Sequence, residues 1–168
     1  MPLVRSWYGV AFLVGGAAAC APKEPPAPPA APAVDSTTVK AAVADLWQRW
    51  SIADTAGNVA ALADMVADSV RIDKRGAPPI LGRAAWKSAA ELGYKRETYT
   101  SMRIMPDVTV AISNELAYEN GSYLQDGLTG KRKSKEYGRY AGAIAKEADG
   151  HWRVRYIMVF ADSTVAVK

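Results

Sequence analysis

The sequence contains few of the residues on which metal sites and catalytic sites usually depend. Its 168 residues include one cysteine, Cys20, and one histidine, His151. A single cysteine excludes an intramolecular disulfide and a cysteine-rich zinc site, and a single histidine excludes a metal site built from several histidines. The sequence also lacks a glycine-rich phosphate loop, an HExxH motif and a GxSxG motif. We therefore expect neither a metal nor a cofactor.

A large excess of one charge is missing as well. Lys and Arg number 21 against 17 Asp and Glu, which leaves a formal net charge of +4. The densest basic run spans residues 131–135 (KRKSK), which we interpret as a solvated loop between strands. The alternative is a contact with anionic headgroups or nucleic acid, where each surface Lys or Arg adds roughly 1 kcal/mol. No aromatic residues are interleaved with this run, so we expect no nucleic-acid partner.

The first twenty residues have the pattern of an export signal. One positive charge, Arg5, precedes an apolar run over residues 7–19. This run is too short to span roughly 30 Å of hydrocarbon as a helix, but it fits the apolar region of a secretory signal peptide. It ends in Ala17-Ala18-Ala19-Cys20, which resembles the bacterial lipobox, with alanine at 17 where leucine is preferred. We predict a signal peptide over residues 1–19 and a lipid on Cys20.

The alternative is ordinary cleavage after Ala-x-Ala, with Cys20 incidental. The position of Cys20 favours lipidation, because a lone free thiol elsewhere in an exported protein would be open to unwanted oxidation. Residues 20–34 hold six of the ten prolines and are predicted to form an extended tether of roughly 40 Å. The residue after the cysteine is Ala21, whereas lipoproteins retained at the inner membrane usually have aspartate there. The resemblance therefore implies a cell-envelope protein anchored to the outer membrane and facing the periplasm.

Residues 35–168 are predicted to form one α+β domain that begins with helices. Asp35 and Ser36 are candidate caps for a first helix that runs to about Asp54. One face of that helix carries Val39, Val43, Leu46, Trp47 and Trp50. A second helix is predicted over about 58–67, and a third over about 83–94.

The rest of the domain has the two-residue alternation of strands. A short strand is predicted from Ser69, and further strands begin near Val108, Leu116 and Tyr137. Asp149-Gly150 is the strongest hairpin signal, and it precedes a strand with one apolar face. That face is predicted to comprise Trp152, Val154, Tyr156, Met158 and Phe160. Helices followed by strands indicate the α+β class.

The order of these motifs resembles the nuclear transport factor 2-like superfamily over about residues 36–162. The matching segments are Ala67-Asp68-Ser69-Val70, Gly82-Arg83, Ala117-Tyr118, Gly121-Ser122-Tyr123, Gly138-Arg139-Tyr140 and Asp149-Gly150-His151-Trp152-Arg153-Val154. The branches most similar are the SnoaL-like and uncharacterised domain-of-unknown-function groups. The resemblance implies a cone in which three N-terminal helices pack on a curved antiparallel sheet around an apolar pocket. It also implies a homodimer joined through the sheets.

The same resemblance suggests candidate catalytic residues. Isomerases of this superfamily place a carboxylate base on the first strand, where Asp73 lies, and Asp54 at the end of the first helix is the second candidate. A carboxylate facing a dry pocket moves a proton next to a carbonyl group. The alternatives are structural: Asp73 as a salt bridge at a strand end, and Asp54 as a helix-terminal residue. The isomerases supply a phenol from the first helix, where this sequence has Trp47 and Trp50.

Candidate ligand-binding residues are the large aromatic side chains and one arginine. They are Trp47, Trp50, Trp86, Tyr118 and Arg139. The alternatives are that the aromatic residues form the core and that Arg139 pairs with a carboxylate such as Glu119. His151 follows the hairpin turn, and we expect it to be exposed.

Three functions from different classes follow. The first is binding of a small, largely apolar molecule by an envelope-anchored lipoprotein, without established catalysis. The second is a cofactor-independent isomerase or lyase of the ketosteroid-isomerase or polyketide-cyclase type. The third is a dimeric interaction module that uses the sheet as its contact surface. The superfamily contains both enzymes and proteins without known catalysis, so the fold does not choose among these functions.

Overall fold

The computed structural model describes residues 33–167. The predicted signal peptide, Cys20 and nearly all of the predicted tether lie outside the described residues. Within this described range, none of the helices is long and apolar enough to cross a membrane.

Residues 33–167 form three α-helices and six β-strands. The helices are α1 (Ser36–Thr55), α2 (Val59–Asp64) and α3 (Arg83–Tyr94). The strands are β1 (Val66–Lys74), β2 (Ile80–Leu81), β3 (Thr98–Ser113), β4 (Leu116–Thr129), β5 (Arg132–Lys146) and β6 (Trp152–Val167). This element order confirms the predicted α+β class.

The strands form one curved, mixed sheet in the order β2-β1-β6-β5-β4-β3. The four long strands form an antiparallel meander, and β1 pairs antiparallel with β2. However, β1 pairs parallel with β6, so the sheet is not purely antiparallel as predicted. Parallel pairing needs a long connection, which α3 and the other strands of the meander supply. Register shifts in β1, β3 and β6 bend the sheet.

The first helix begins as predicted, at an aspartate cap. The Asp35 carboxylate accepts hydrogen bonds from the Thr38 backbone N–H at 3.1 Å and from its hydroxyl at 2.7 Å. Gly57, with a φ of 63°, reverses the chain after α1, and Asn58 caps α2. These turns place the C-terminal end of α1 above the sheet, where its buried face contacts β3, β4 and β6.

The second helix is shorter than predicted, because β1 begins at Val66. Val66 and Ala67 were predicted to continue the helix, but they are fully buried in the strand. The Val154 N–H of β6 donates to the Met65 carbonyl at 2.9 Å and fixes the start of the strand. A continuous apolar run fits either element, so only pairing with β6 decides between them.

The basic run does not form a free loop. Residues 132–135 are the first residues of β5, and they pair with both β4 and the C-terminal part of β6. The Lys135 ammonium lies 3.7 Å from the Asp126 carboxylate across the strand pair. The side chains of residues 131–133 are exposed. The run lacks the apolar alternation by which a strand is recognised in a sequence.

The final strand changes the face it buries. Val154, Ile157 and Val159 face the helices, whereas Tyr156 and Met158 face the opposite side of the sheet. The prediction of one continuous apolar face on this strand is therefore wrong. A register shift around Arg155 inserts one extra residue into β6, which reverses the side chains that follow it up to a second shift at Asp162.

Candidate functional site

The helices and the inner face of the sheet enclose a cavity of about 520 Å³. Seven aromatic side chains line it: Trp47, Trp50, Trp86, Tyr94, Tyr99, Tyr123 and Tyr140. Aliphatic side chains from β1, β3 and β6 complete the wall, among them Ile72, Ile104, Val154, Ile157 and Val159. The cavity therefore combines an apolar wall with hydroxyl and indole groups at its edges, which is the usual character of a small-molecule site.

Six of the aromatic residues form two groups of contacting rings. The Trp47 ring lies 5.9 Å from the Trp50 ring and 5.6 Å from the Tyr140 ring, measured between centroids. The Trp50 ring lies 5.6 Å from Trp86. Tyr94 and Tyr99 form the second group, as an edge-to-face pair at 5.3 Å. Trp47, Trp50 and Trp86 all line the cavity. Each of them also packs in or against the hydrophobic core, so the two interpretations given for these residues do not exclude each other.

Asp54 lines this cavity and contacts Tyr94 of the second aromatic group. It is one helical turn beyond Trp50 on the same face of α1, and only 6% of its surface is exposed. The Tyr94 hydroxyl donates to its Oδ1 at 2.5 Å, and the Gln125 amide donates to its Oδ2 at 3.1 Å. These neutral donors hold the carboxyl group in a fixed orientation.

The surroundings of Asp54 favour its uncharged form. Burial raises the pKa of the Asp54 carboxyl, although the hydrogen bonds from Tyr94 and Gln125 oppose the rise. Burial and the hydrogen bond to Asp54 also raise the pKa of Tyr94, and burial raises the pKa of Tyr99 to about 12. The phenols therefore remain protonated at neutral pH. The carboxyl is the group of this trio suited to exchanging a proton.

A second acidic side chain of the cavity is Glu136 on β5. Its carboxylate accepts a hydrogen bond from the Tyr123 hydroxyl at 2.8 Å and another from the Thr164 hydroxyl at 3.2 Å. Lys74 and Arg75 also line the cavity, but their side chains belong to exposed residues at the end of β1. Negative charge therefore lies within the wall, and positive charge lies towards solvent.

Glu119 on β4 supports the wall from beneath. It is 1% exposed, and its carboxylate accepts hydrogen bonds from the Trp47 indole, from the Tyr140 hydroxyl at 2.8 Å and from the Thr109 hydroxyl at 2.7 Å. Two of these donors line the cavity, so Glu119 fixes the orientation of their rings. Burial and the bond to Glu119 raise the pKa of Tyr140.

The structure places Asp73 outside the cavity. On β1 the adjacent Ile72 lines the cavity, and side chains alternate along a strand, so Asp73 faces the other side of the sheet. Its carboxylate accepts from the Arg71 guanidinium at 3.1 Å and from the Tyr156 hydroxyl at 3.1 Å. The bond from Arg71 lowers the pKa of Asp73. The prediction of a catalytic base in the pocket at Asp73 is therefore corrected. Asp73 instead forms a salt bridge with Arg71, as the structural alternative predicted.

Tyr118 and Arg139 also lie on the outer face of the sheet and do not line the cavity. Tyr118 is 38% exposed, and its neighbour Glu119 takes the inward position. The Arg139 guanidinium binds both oxygens of Asp162 on β6, at 2.8 Å each. The expected partner Glu119 faces the opposite side. The physical reason for both corrections is the two-residue period of the strands.

Comparisons with known proteins were made by sequence and by structure. No protein-family model matches the chain, and no curated protein sequence matches it. A ketosteroid isomerase-like protein from Erwinia carotovora atroseptica matches the structure with a TM-score of 0.66 at 13% identity, over 73% of this chain and 95% of the other. A candidate scytalone dehydratase from Novosphingobium aromaticivorans matches with a TM-score of 0.68 at 15% identity, over 79% of this chain and 89% of the other.

A third match is to a protein of unknown function described as NTF-2 like. It comes from Shewanella oneidensis and has a TM-score of 0.61 at 14% identity, over 73% of this chain and 98% of the other. This chain has the nuclear transport factor 2-like fold. The resemblance in the order of its motifs is thereby confirmed at the level of fold. Identities this low carry no activity from the matched proteins to this chain.

In this nuclear transport factor 2-like fold, the cavity includes residues that the sequence patterns did not mark. Tyr94 and Gln125 bind Asp54, and Glu119 and Glu136 are the acids of the inner sheet face. The alternation on β4 places Ala117, Glu119, Gly121 and Tyr123 on one buried face. This alternation could have predicted from the sequence that Glu119 faces inward. Among residues 33–167, no cluster of three or more His, Cys, Asp and Glu side chains is arranged to hold a metal ion.

Proposed function

We propose that this chain binds a small, largely apolar molecule in the cavity between its helices and its sheet. The observation that carries the proposal is the cavity of about 520 Å³ lined by tryptophan and tyrosine rings. Ligand sites usually occupy about 300–1,000 Å³ and combine an apolar wall with a few oriented polar groups. In this proposal the helices and the curved sheet form a cone around the ligand, and Asp54 contributes the main polar contact.

The test is a binding measurement with a cavity-filling variant. Native mass spectrometry of the purified protein is expected to show a retained ligand, and titration with 2-naphthol is expected to quench the fluorescence of Trp50 and Trp86. Ala90→Phe places a ring inside the cavity and is expected to weaken 2-naphthol binding about tenfold or more. Ala85→Phe, at an exposed position of the same helix, is the matched control. Equal affinity in both variants would place binding elsewhere.

Asp54 favours a second candidate function, a cofactor-independent isomerase or lyase. The residue lies in the cavity, its pKa is raised by burial, and the Tyr94 hydroxyl lies 2.5 Å from its carboxylate. In an isomerisation the ionised carboxylate takes a proton from the carbon next to a carbonyl, and the electron pair moves onto the carbonyl oxygen. The carboxyl then returns the proton to the γ carbon, while Tyr94 or Gln125 donates a hydrogen bond to the oxygen.

This second function is tested by proton exchange. The protein is incubated with cyclohex-3-enone in D₂O, and nuclear magnetic resonance follows deuterium at the α carbon and conversion to the conjugated enone. Asp54→Asn is expected to reduce the rate about 100-fold or more, because it removes the general base. Asp73→Asn is the control, since that carboxylate faces the other side of the sheet. If the rate is the same in the unmodified protein and in Asp54→Asn, Asp54 does not catalyse the isomerisation of cyclohex-3-enone.

The outer sheet face supports the further proposal that two copies of the chain associate. Val108, Val110 and Ile112 on β3 are 47%, 47% and 55% exposed, and Tyr118 on β4 lies beside Val110 in the strand register. A row of exposed apolar side chains on a sheet is typical of a protein–protein contact. A second copy would cover this row with an identical one.

We also propose attachment to the outer membrane through a lipid on Cys20. The support is the sequence alone: the apolar run over residues 7–19, the lipobox-like Ala17–Cys20 and the proline-rich segment that follows. Cys20→Ala is expected to move the protein from the membrane fraction to the soluble periplasmic fraction. Unchanged membrane association of that variant would contradict the proposal, and Cys20→Ser serves as a second thiol-free variant.

A further inference from the structure

We infer that the cavity selects molecules that carry an organic ammonium group on an apolar body, with the ammonium held between Asp54 and the surrounding aromatic rings. This inference rests on the proposed binding function and adds the charge of the ligand to it. It follows from the arrangement of acids, rings and cations around the cavity.

The neighbours that bind the buried carboxyl group of Asp54 carry no positive charge. Asp54 is 6% exposed, and its hydrogen-bond donors, Tyr94 and Gln125, are neutral. None of the salt bridges formed among residues 33–167 includes Asp54. A buried carboxylate is costly unless it is paired with a cation. A ligand with a positive charge would supply that cation from inside the cavity.

The cavity wall near Asp54 is aromatic. Trp50 precedes Asp54 by one helical turn, and Tyr94, whose hydroxyl donates to Asp54, forms an edge-to-face pair with Tyr99. The faces of tryptophan and tyrosine rings carry negative potential and attract ammonium groups, with tryptophan the strongest. A ring wall next to a carboxylate is therefore better suited to an organic cation than to a neutral or anionic group.

The remaining charges of the cavity lining differ in their exposure to solvent. Glu136 adds a second carboxylate to the lining, whereas the lining cations Lys74 and Arg75 belong to exposed residues. Arg75 also lies close enough to Asp162 that, after Arg139, it contributes to lowering the pKa of that carboxyl. Exposed charges are screened by water and salt, whereas buried charges are screened much less. The buried carboxyl group of Asp54 is therefore screened less than the exposed cations of the lining, which favours a positively charged ligand beside it.

The test compares two molecules of nearly the same shape that differ in charge. Benzyltrimethylammonium carries a quaternary nitrogen where neopentylbenzene carries a carbon atom. Calorimetry or tryptophan quenching of the full domain is expected to show the ammonium compound binding about tenfold tighter or more. Asp54→Asn is expected to lower that ratio at least threefold, with the remaining preference due to the aromatic rings, while changing the affinity for neopentylbenzene less than about threefold. Asp73→Asn, whose carboxylate faces the outer side, is expected to leave the ratio unchanged.

The outcomes separate the inference from the proposed function. If neopentylbenzene binds as tightly as the ammonium compound, the inference is overturned and the binding function stands. If neither compound binds, the binding function itself fails for ligands of this size, and the inference fails with it. The ratio in the unmodified protein decides the question even if Asp54→Asn does not fold. Trp50→Leu provides a second variant that is expected to lower the ratio.

Discussion

At the scale of single residues, the described part of the chain buries two acidic side chains, Asp54 and Glu119. They have different surroundings and therefore different roles. Glu119 accepts three side-chain hydrogen bonds and lies behind the cavity wall. Asp54 accepts two from neutral groups and lies in the cavity itself. A carboxylate whose hydrogen bonds come from core residues is structural, whereas one that faces a cavity is available to a ligand.

Removing the Glu119 carboxylate is expected to destabilise the fold strongly. Glu119→Ala leaves the buried donors of Trp47, Tyr140 and Thr109 without an acceptor, and we expect a loss of about 3 kcal/mol or more in the free energy of unfolding. Glu119→Gln keeps one acceptor and is expected to lose less. Urea denaturation gives these values. Glu115→Ala, at an exposed position of the adjacent turn, is the control and is expected to stay within about 0.5 kcal/mol of the unmodified protein.

Asp54 and Asp149 are expected to change stability with pH in opposite directions. Burial raises the pKa of Asp54 above 3.8, so its protonated form favours the folded state. Relative to Asp54→Asn, the protein should lose stability as the pH rises from 3.8 through the folded pKa. The Arg153 guanidinium holds the pKa of Asp149 well below 3.8, so relative to Asp149→Asn the protein should lose stability as the pH falls below 3.8.

The measurement is urea denaturation of the three proteins from about pH 3 to pH 8. The difference between the unmodified protein and Asp54→Asn should decrease with rising pH, and the difference for Asp149→Asn should increase. Slopes of the same sign for both variants would show that one carboxyl has been assigned the wrong environment. Asp149 is exposed, so its slope should also weaken in high salt, whereas the slope for the buried Asp54 should persist.

At the scale of elements, the inner face of the sheet is shaped by glycines where backbone and rings approach closely. A Cβ at Gly121 would lie 2.4 Å from the Met105 carbonyl oxygen, and one at Gly138 would lie 2.3 Å from the Tyr123 ring. Tyr123 lines the cavity, so the missing Cβ at 138 leaves room for a ring that forms part of the wall. The strand register and the cavity therefore depend on the same small residues.

Alanine substitutions at two glycines are expected to have opposite effects. Gly121→Ala forces the strand away from the Met105 carbonyl and is expected to cost about 1–3 kcal/mol. Gly93→Ala in α3 has open space around it and a backbone conformation that alanine adopts readily, so we expect a gain of about 0.5–1 kcal/mol. Chemical denaturation of both variants provides the comparison. Equal changes in the free energy of unfolding would mean that helix propensity and strand packing do not explain the stability of the two variants.

At the scale of the whole molecule, the sheet separates two environments. Its inner face, together with the helices, encloses the cavity, and its outer face exposes Val108, Val110 and Ile112 on β3. The side chains that were predicted to contact a ligand divide between these faces. Trp47, Trp50 and Trp86 line the cavity, whereas Tyr118 and Arg139 lie outside. The two faces therefore suit two different activities, ligand binding within the domain and association between copies.

If two copies associate through the outer face, a single charged substitution on that face is expected to disrupt the dimer. The chain from residue 35 onward is expected to sediment as a dimer, and Val110→Arg is expected to convert it to a monomer, because it places like charges together at a two-fold contact. Ile52→Arg, at an exposed apolar position of α1, is the control and should remain dimeric. Analytical ultracentrifugation distinguishes these states. A monomer in the unmodified protein would contradict the homodimer.

The elements that could be predicted from the sequence are those that depend on neighbouring residues. The Asp35 cap, the limits of α3 and the hairpin after β5 are local, because each depends on side chains a few positions apart. The apolar stripe of α1 likewise predicted that Trp47 and Trp50 face inward. The α+β class follows from the order of these elements.

The side of the sheet that each strand residue faces, and the identity of the acid in the cavity, depend on contacts between distant parts of the chain. Asp73 was the first candidate and Asp54 the second, but the register of β1 places Asp73 outside the cavity and the end of α1 places Asp54 inside it. The extra residue in β6 and the parallel pairing of β1 with β6 also depend on partners far along the chain. A shift of one residue reverses a strand face, so distant pairing, rather than local pattern, fixes the chemistry of this site.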